Sequence, residues 1–341
     1  MQSIRRENVS IILWLFTGCF LIFTMVIVGG ITRLTGSGLS MVDWNLFMGT
    51  IPPLNYQEWI EAFDQYKQYP EFQERNYMFT LADFKKIFFW EYLHRMLGRF
   101  IGLVFIIPYI YFIVRKRFST KLFIQCTTLL FMGSLQAFFG WWMVKSGLVD
   151  RPDVSHLRLA THLITAFLTF CYTFWIMLTL VFPQKKNFNI SLYRSSIVLF
   201  VILILQIIYG AFVAGLDAGQ VYNSWPKMYD KWIAESVYAM TPLWKNFIYG
   251  LSGVQFVHRY LAFFLALIVV YMFFQAKKIN LPKLETTTIN VLLIIIILQV
   301  VLGIFTLLYG VPIWLGVIHQ LGAFILLGTT VLSLFLFKKT I

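Results

Sequence analysis

Four of the five histidines in the sequence lie at corresponding positions within apolar stretches that are long enough to cross a bilayer. They are His94, His162, His258 and His319. Each lies about six to ten residues inside its stretch, which at about 1.5 Å per helical residue places all four at a common depth of about 10 to 15 Å. A single histidine in such a segment usually serves a hydrogen bond between helices, whereas four at one depth indicate a shared function.

Two imidazoles on facing helices are suited to bind haem iron from its two sides, and a helical bundle is a common place to hold such a cofactor. The pairs are His94 with His162, and His258 with His319. Four residues after each histidine comes a small residue that leaves room beside a ligand: Gly98, Ala166, Ala262 and Ala323. Zinc or copper is less suitable, because no cysteine or carboxylate pair completes a coordination shell around two histidines. The pattern therefore favours haem as the cofactor.

Glu91 is the residue by which the two histidine pairs differ chemically. It lies one helical turn before His94, and the matching position before His258 is Gln255, which cannot carry a charge or exchange a proton. A carboxylate inside a membrane segment is a candidate functional residue. The sequence therefore predicts a reactive site around Glu91 and an electron-carrying site in the other half. Arg95 and Arg99 beside this face either meet haem propionates or extend to the membrane interface.

The elements that carry these residues are predicted to be membrane-spanning helices. Of 341 residues, 59% are hydrophobic and only 13% are charged, which is too apolar for a soluble domain of this length. Period-2 alternation is absent, so helices rather than barrel strands follow. The fold class is an all-α integral membrane protein with eight transmembrane helices, at residues 10–31, 88–114, 121–144, 156–182, 194–215, 248–275, 287–309 and 312–337.

An internal repeat divides the chain into two halves. "EYLHRMLGRF" at 91–100 matches "QFVHRYLAFF" at 255–264, and "ATHLITAF" matches "VIHQLGAF". Four spans separate the copies, so the halves keep one orientation and form two tandem pseudo-symmetric four-helix bundles, at residues 1–186 and 187–341. The long loop 34–87 contains an amphipathic stretch at 56–69 and a predicted helix start at Thr80.

Charge and cysteine usage set the topology. Nearly all of the net charge of +13 falls in short loops on one side, including Arg5, Arg6, Lys185 and Lys186, which places both termini in the cytoplasm and the histidines toward the outer side. This distribution reflects topology rather than nucleic-acid binding. The first span has no cleavage site and predicts an uncleaved helix in a bacterial inner (plasma) membrane. The three cysteines lie inside spans and are expected to be buried thiols, and His156 is given no ligand role.

Taken together, the motifs resemble those of the haem A synthase family across essentially all eight spans. They include "GGITRLTGSGLSMVDW", "EYLHRMLGR", "ATHL", "AGLDAGQVYNSWP", "FVHRY" and "IHQLGAF". The resemblance implies haem b as a cofactor on His258 and His319, a haem O substrate on His94 and His162, and Glu91 as the essential acidic residue. It implies oxidation of a methyl group of haem O to the formyl group of haem A through hydroxylated intermediates.

The resemblance also implies partners and leaves rival functions open. Candidate partners are a haem O synthase (a farnesyltransferase), cytochrome oxidase assembly factors, the lipid membrane and a second copy of the chain, with no nucleic acid. Some bacterial members carry a cysteine pair in the first outer loop, and loop 34–87 has none. The alternatives are a non-catalytic dihaem electron carrier linked to quinone, and a haem transporter or chaperone.

Overall fold

A computed structural model describes residues 8–42, 51–149, 152–183 and 188–339. Its long helices are α1 (Val9–Leu34), α4 (Leu81–Val114), α5 (Thr120–Lys145), α6 (His156–Val181), α7 (Ile190–Gly215), α8 (Leu251–Lys277), α9 (Lys283–Leu308) and α10 (Ile313–Phe337). All eight are long and apolar enough to cross a membrane. The prediction of an all-α protein with eight spans is confirmed, and the part of the chain that the structure describes contains no strand. The basic residues Arg5, Arg6, Lys185 and Lys186 lie outside the described residues.

The helix that carries Glu91 and His94 begins earlier than its apolar stretch. Helix α4 starts at Leu81 rather than at residue 88, because Thr80 and Asp83 form a capping box. The Thr80 hydroxyl accepts a hydrogen bond from the Asp83 N–H, and the Asp83 carboxylate accepts one from the Thr80 N–H. The predicted helix start at Thr80 is confirmed, and α4 continues past the apolar stretch toward the outer loop.

The outer loop contains two short helices, α2 (Tyr56–Tyr66) and α3 (Pro70–Glu74). The amphipathic pattern of α2 places Phe63 and Tyr66 on one face, one turn apart, and both are buried. They stack on Phe84 at the start of α4, with ring centroids 5.1 and 5.3 Å away. Met41 lies in the same aromatic cluster, so the two loop helices fix the chain that follows α1.

The chain forms two compact units, Phe20–Thr165 and the segments on either side of it. In the second of these, α7 packs against α8, α8 against α9, α9 against α10 and α10 against α7, which closes a four-helix bundle. In Phe20–Thr165, α4 packs against α5. The Arg158 guanidinium of α6 donates to the Trp142 carbonyl of α5 at 2.8 Å. The predicted domain boundary between residues 186 and 187 lies outside the described residues.

Glu71 is a buried carboxyl in the outer loop, with only 6% of its surface exposed. It accepts a hydrogen bond from the Tyr66 hydroxyl at 3.0 Å, and that hydroxyl in turn accepts one from the Asn76 amide at 2.7 Å. Loss of solvation on burial is the main reason why the pKa of Glu71 rises to about 8. The group is therefore protonated in the folded loop at neutral pH.

We expect the loop helices to weaken as the medium becomes alkaline. The folded-state pKa of Glu71 lies above its ordinary value of 4.5. The stabilisation of the folded loop by the protonated Glu71 side chain is therefore complete below about pH 4.5 and is lost as the pH rises through about 8. Limited proteolysis of the loop in purified protein, followed from about pH 6 to pH 9, measures this change. A Glu71→Gln variant keeps an acceptor for Tyr66 without a titrating group, and its cleavage rate should vary much less with pH. Equal pH dependence in both proteins would contradict the role assigned to Glu71.

Candidate functional site

His258 on α8 and His319 on α10 face each other within the second bundle. Their ring centroids are 6.4 Å apart and the rings are nearly perpendicular, at 79°. Two imidazoles that share one metal through bonds of about 2 Å have ring centres roughly 6 Å apart. Both Nδ1 atoms are buried and have no hydrogen-bond partner among the described residues. The spacing and the unused ring nitrogens suit a metal held between the two rings.

His94 on α4 and His162 on α6 form the corresponding pair in the unit Phe20–Thr165. The two rings are close enough to interact electrostatically. The Nδ1 of His162 is buried and, within the described ranges, has no hydrogen-bond partner. The structure thus brings together both histidine pairs that the sequence predicted.

A glycine on the preceding span lies against each of the four rings. A Cβ built at these positions would lie close to the Cε1 of the facing ring: 3.5 Å for Gly29 and His94, 3.0 Å for Gly140 and His162, 3.2 Å for Gly210 and His258, and 2.9 Å for Gly303 and His319. Distances near 3 Å leave no room for a side chain without moving the ring. Each imidazole therefore lies in a niche against a glycine, and this niche is tight at Gly140, Gly210 and Gly303, whereas a Cβ at Gly29 would make an ordinary contact with His94.

These features fit haem. Within the described residues no group of three or more histidine, cysteine, aspartate or glutamate side chains could hold a metal ion, so each pair supplies two imidazoles. In the same part of the chain three of the four rings keep a buried nitrogen without a hydrogen-bond partner, and an unsatisfied polar atom is costly in an apolar bundle. Haem iron uses two such nitrogens as axial ligands. His258 and His319 would hold one haem, and His94 and His162 a second.

The Glu91 carboxylate is buried and is held by four hydrogen-bond donors. Oε2 accepts from the Ser40 hydroxyl at 2.7 Å and from the Met41 N–H at 2.8 Å. Oε1 accepts from the Arg95 guanidinium, at 2.6 Å from Nη2 and 3.1 Å from Nε. Arg95 also donates to the Met41 carbonyl at 2.6 Å. An acceptor-only group such as a carboxylate is what these donors require.

Gln255 occupies the equivalent place in the second bundle but meets different partners. Its Nε2 donates to the Ala218 carbonyl at 2.9 Å, and its Oε1 accepts from Arg259 at 3.0 Å. Arg259 continues the parallel by donating to the carbonyls of Tyr222 and Ser224. Both side chains therefore bind the loop that follows the preceding span. Glu91 accepts hydrogen bonds from N–H and O–H groups of its loop, whereas Gln255 donates a hydrogen bond to a carbonyl of its loop.

A cavity of about 280 Å³ lies beside Arg95 in the first unit. It is lined by Val42, Arg95, Trp141, Val144, Lys145 and Leu148. Two cationic side chains, Arg95 and Lys145, border an otherwise largely apolar space. Such a lining suits the carboxylate end of an apolar ligand.

Residues 12–331 match the family model described as cytochrome oxidase assembly protein. The chain belongs to this family. A Flavobacterium psychrophilum protein named heme A synthase is 52% identical over 338 residues, which cover 98% of this chain and 100% of the relative. Proteins of the same name from Flavobacterium johnsoniae and Nitrosospira multiformis are 49% and 41% identical, covering 98% and 93% of this chain and 100% and 90% of those relatives. The resemblance inferred from the motifs is confirmed.

Several residues of the site were not predicted from the sequence. The glycines that contact the imidazole rings lie on the preceding spans, and their contact with the histidines was not among the predictions. A signal was present, because three of these glycines end the pattern Gln-x-x-x-Gly: "QAFFG" at 136–140, "QIIYG" at 206–210 and "QVVLG" at 299–303. Ser40 and Met41 lie in the motif "GGITRLTGSGLSMVDW", but nothing in their residue types or spacing connects them with Glu91.

Proposed function

We propose that this chain is a haem A synthase, an oxidoreductase that oxidises the methyl substituent of haem O to the formyl group of haem A through hydroxylated intermediates. The product serves the biogenesis of cytochrome oxidase. One structural observation carries the proposal: the two histidine pairs are equivalent, but one turn before His94 lies the buried carboxylate of Glu91, whereas one turn before His258 lies the buried amide of Gln255. Near full-length similarity to proteins named heme A synthase supports it.

The two halves have different roles in this proposal. Residues 187–341 hold haem b as a resident cofactor on His258 and His319. Residues 1–186 hold the substrate haem on His94 and His162. When bound, haem b supplies one-electron transfer. The glycine niches keep each imidazole at a fixed place in its bundle.

Glu91 is the proposed catalytic residue. Oxidation of a methyl group removes protons together with electrons, and a carboxylate either accepts such a proton or stabilises positive charge that develops on the substrate. Ser40, Met41 and Arg95 hold the carboxylate in one orientation, which is the preorganisation that either role needs. Arg95 and Lys145 receive the haem carboxylates at the neighbouring cavity.

The cellular setting follows from the topology. The protein is a multi-pass membrane protein, and we place it in the bacterial inner membrane with cytoplasmic termini and with both haem sites toward the outer side. A haem O synthase, oxidase assembly factors and a second copy of the chain are its proposed partners.

A non-catalytic dihaem electron carrier is the second candidate, and one observation favours it. Glu91 accepts hydrogen bonds from Ser40 and Met41 of the loop that follows α1, and Gln255 donates one to Ala218 of the loop that follows α7, so the carboxylate already has a structural use. Extraction of the haems from purified protein and their separation by chromatography distinguishes the candidates. Haem b together with haem O or haem A supports the synthase, haem b alone favours the carrier, and no haem favours a transporter.

A further inference from the structure

The second bundle ties each haem-ligand residue to the neighbouring helix through a glutamine. The Gln206 amide of α7 donates to the main-chain carbonyl of His258 at 3.0 Å, and its nitrogen lies 3.4 Å from Nε2 of the same histidine. The Gln299 amide of α9 donates to the carbonyl of His319 at 2.8 Å. Each glutamine precedes by four residues the glycine that lies against the ring.

In the first unit, the residues at the equivalent positions make weaker contacts with the histidine-bearing helices. The nitrogen of the Gln136 amide lies 3.4 Å from Nε2 of His162, so its contact is with the ring itself. On α1 the residue four before Gly29 is Met25, in "MVIVG", and a thioether has no N–H to donate. The Met25 methyl group instead lies 3.4 Å from a Cβ built at Gly98, one turn beyond His94.

Burial of these glutamines is energetically unfavourable, which indicates that they serve a specific function. The carboxamide oxygens of Gln136, Gln206 and Gln299 are buried and have no hydrogen-bond partner among the described residues. A half-satisfied amide in an apolar bundle is unfavourable. A Cβ at Gly322 would also collide with the carboxamide oxygen of Gln299, so a second glycine leaves room for this side chain.

We propose that Gln206 and Gln299 are positioning residues that retain the haem of the second bundle. We also propose that His94 is the ligand that dissociates from the iron when the first unit exchanges its haem, because Met25 takes the place of a glutamine on the neighbouring helix. In the bilayer core an amide–carbonyl bond between helices has no water to compete with it. It fixes the neighbouring helix at the residue that binds iron. The inference rests on the proposed function, in which a resident cofactor stays while substrate enters and product leaves.

Haem release into excess apomyoglobin tests this inference without turnover. The full-length protein is purified, and the haem b and the haem O or haem A that remain are separated by chromatography at successive times. Gln206→Met and Gln299→Met should release haem b about 3- to 30-fold faster than the wild type. Met25→Gln should slow the release of haem O or haem A by a similar factor.

A spectroscopic measurement separates positioning from general damage. The low-spin electron paramagnetic resonance signal of haem b depends on the mutual orientation of its two imidazoles, and it should shift or broaden in Gln206→Met and Gln299→Met. Gln275→Met, near the far end of α8, is the matched control and should leave both the signal and the release rates unchanged. Unchanged signals and rates in both second-bundle variants would overturn the proposal.

Met25→Gln decides the matter if the other two variants fail to reach the membrane. An unchanged release of haem O or haem A from Met25→Gln overturns the proposal, and so does a wild-type protein that releases both haems equally fast. The proposed function fails separately. If release rates change as expected but no haem A is ever formed, the positioning role stands and the synthase assignment falls.

Discussion

Replacement of His258 or His319 by alanine is expected to abolish both the low-spin haem b spectrum and the formation of haem A. The ring centroids lie 6.4 Å apart, and both Nδ1 atoms are buried and without a hydrogen-bond partner in the part of the chain that the structure describes, so loss of either ring leaves the iron with a single protein ligand. Optical spectra of membranes measure the low-spin haem b signal, which should fall close to background in both variants. Chromatography of the extracted haems measures the amount of haem A.

His156→Ala is the control for these two variants. His156 is the first residue of α6 and belongs to neither pair, so its replacement should leave haem b in place. Ligand loss also weakens folding, and the amount of protein in the membrane must therefore be measured in parallel. A normal low-spin spectrum in both His258→Ala and His319→Ala would contradict the assignment of the second bundle.

Glu91→Gln is expected to lower haem A formation by about 10²-fold or more, which is typical for loss of a general acid or base. The variant should keep haem b on His258 and His319 and accumulate haem O or a partly oxidised alcohol. The measurement is chromatography of the haems with mass determination of each peak. Near-normal haem A at normal protein levels would contradict a catalytic Glu91.

The contacts of Glu91 show which control this experiment needs. An amide has only one oxygen, so its NH₂ must face either Arg95 or the donors of Ser40 and Met41. Ser40→Ala removes one donor and keeps the carboxylate. If Glu91 acts only by fastening the loop, Ser40→Ala and Glu91→Gln should lower haem A and increase proteolysis of the loop together. If Glu91 is catalytic, Ser40→Ala should retain most of the activity.

Much of the fold was predictable because membrane spans depend on local properties. Length and apolarity are sufficient to find a helix that crosses a bilayer, and all eight spans were found in this way. Thr80 was predictable as a cap because its partner, Asp83, is three residues away. The pairing of the histidines followed from the internal repeat, since equivalent helices of a duplicated bundle carry equivalent residues.

The contacts of Glu91 were not predictable in the same way. Ser40 and Met41 are separated from it by about fifty residues, and they reach it because α2 and α3 pack Met41 into an aromatic cluster. Such a loop conformation depends on tertiary packing rather than on local pattern. The difference between Glu91 and Gln255 was visible in the sequence, but the N–H, O–H and carbonyl groups that each side chain meets were not.

Conversion of haem O to haem A by the wild-type chain is the direct test of the proposed synthase activity. The protein is expressed in a bacterial host that makes haem O and has no haem A synthase, and the haems of its membranes are separated and their masses determined. We expect haem A in cells that express the wild-type chain, and haem O alone in cells with the empty vector. Haem O without any haem A or hydroxylated intermediate, at normal levels of membrane protein that holds haem b, would contradict it.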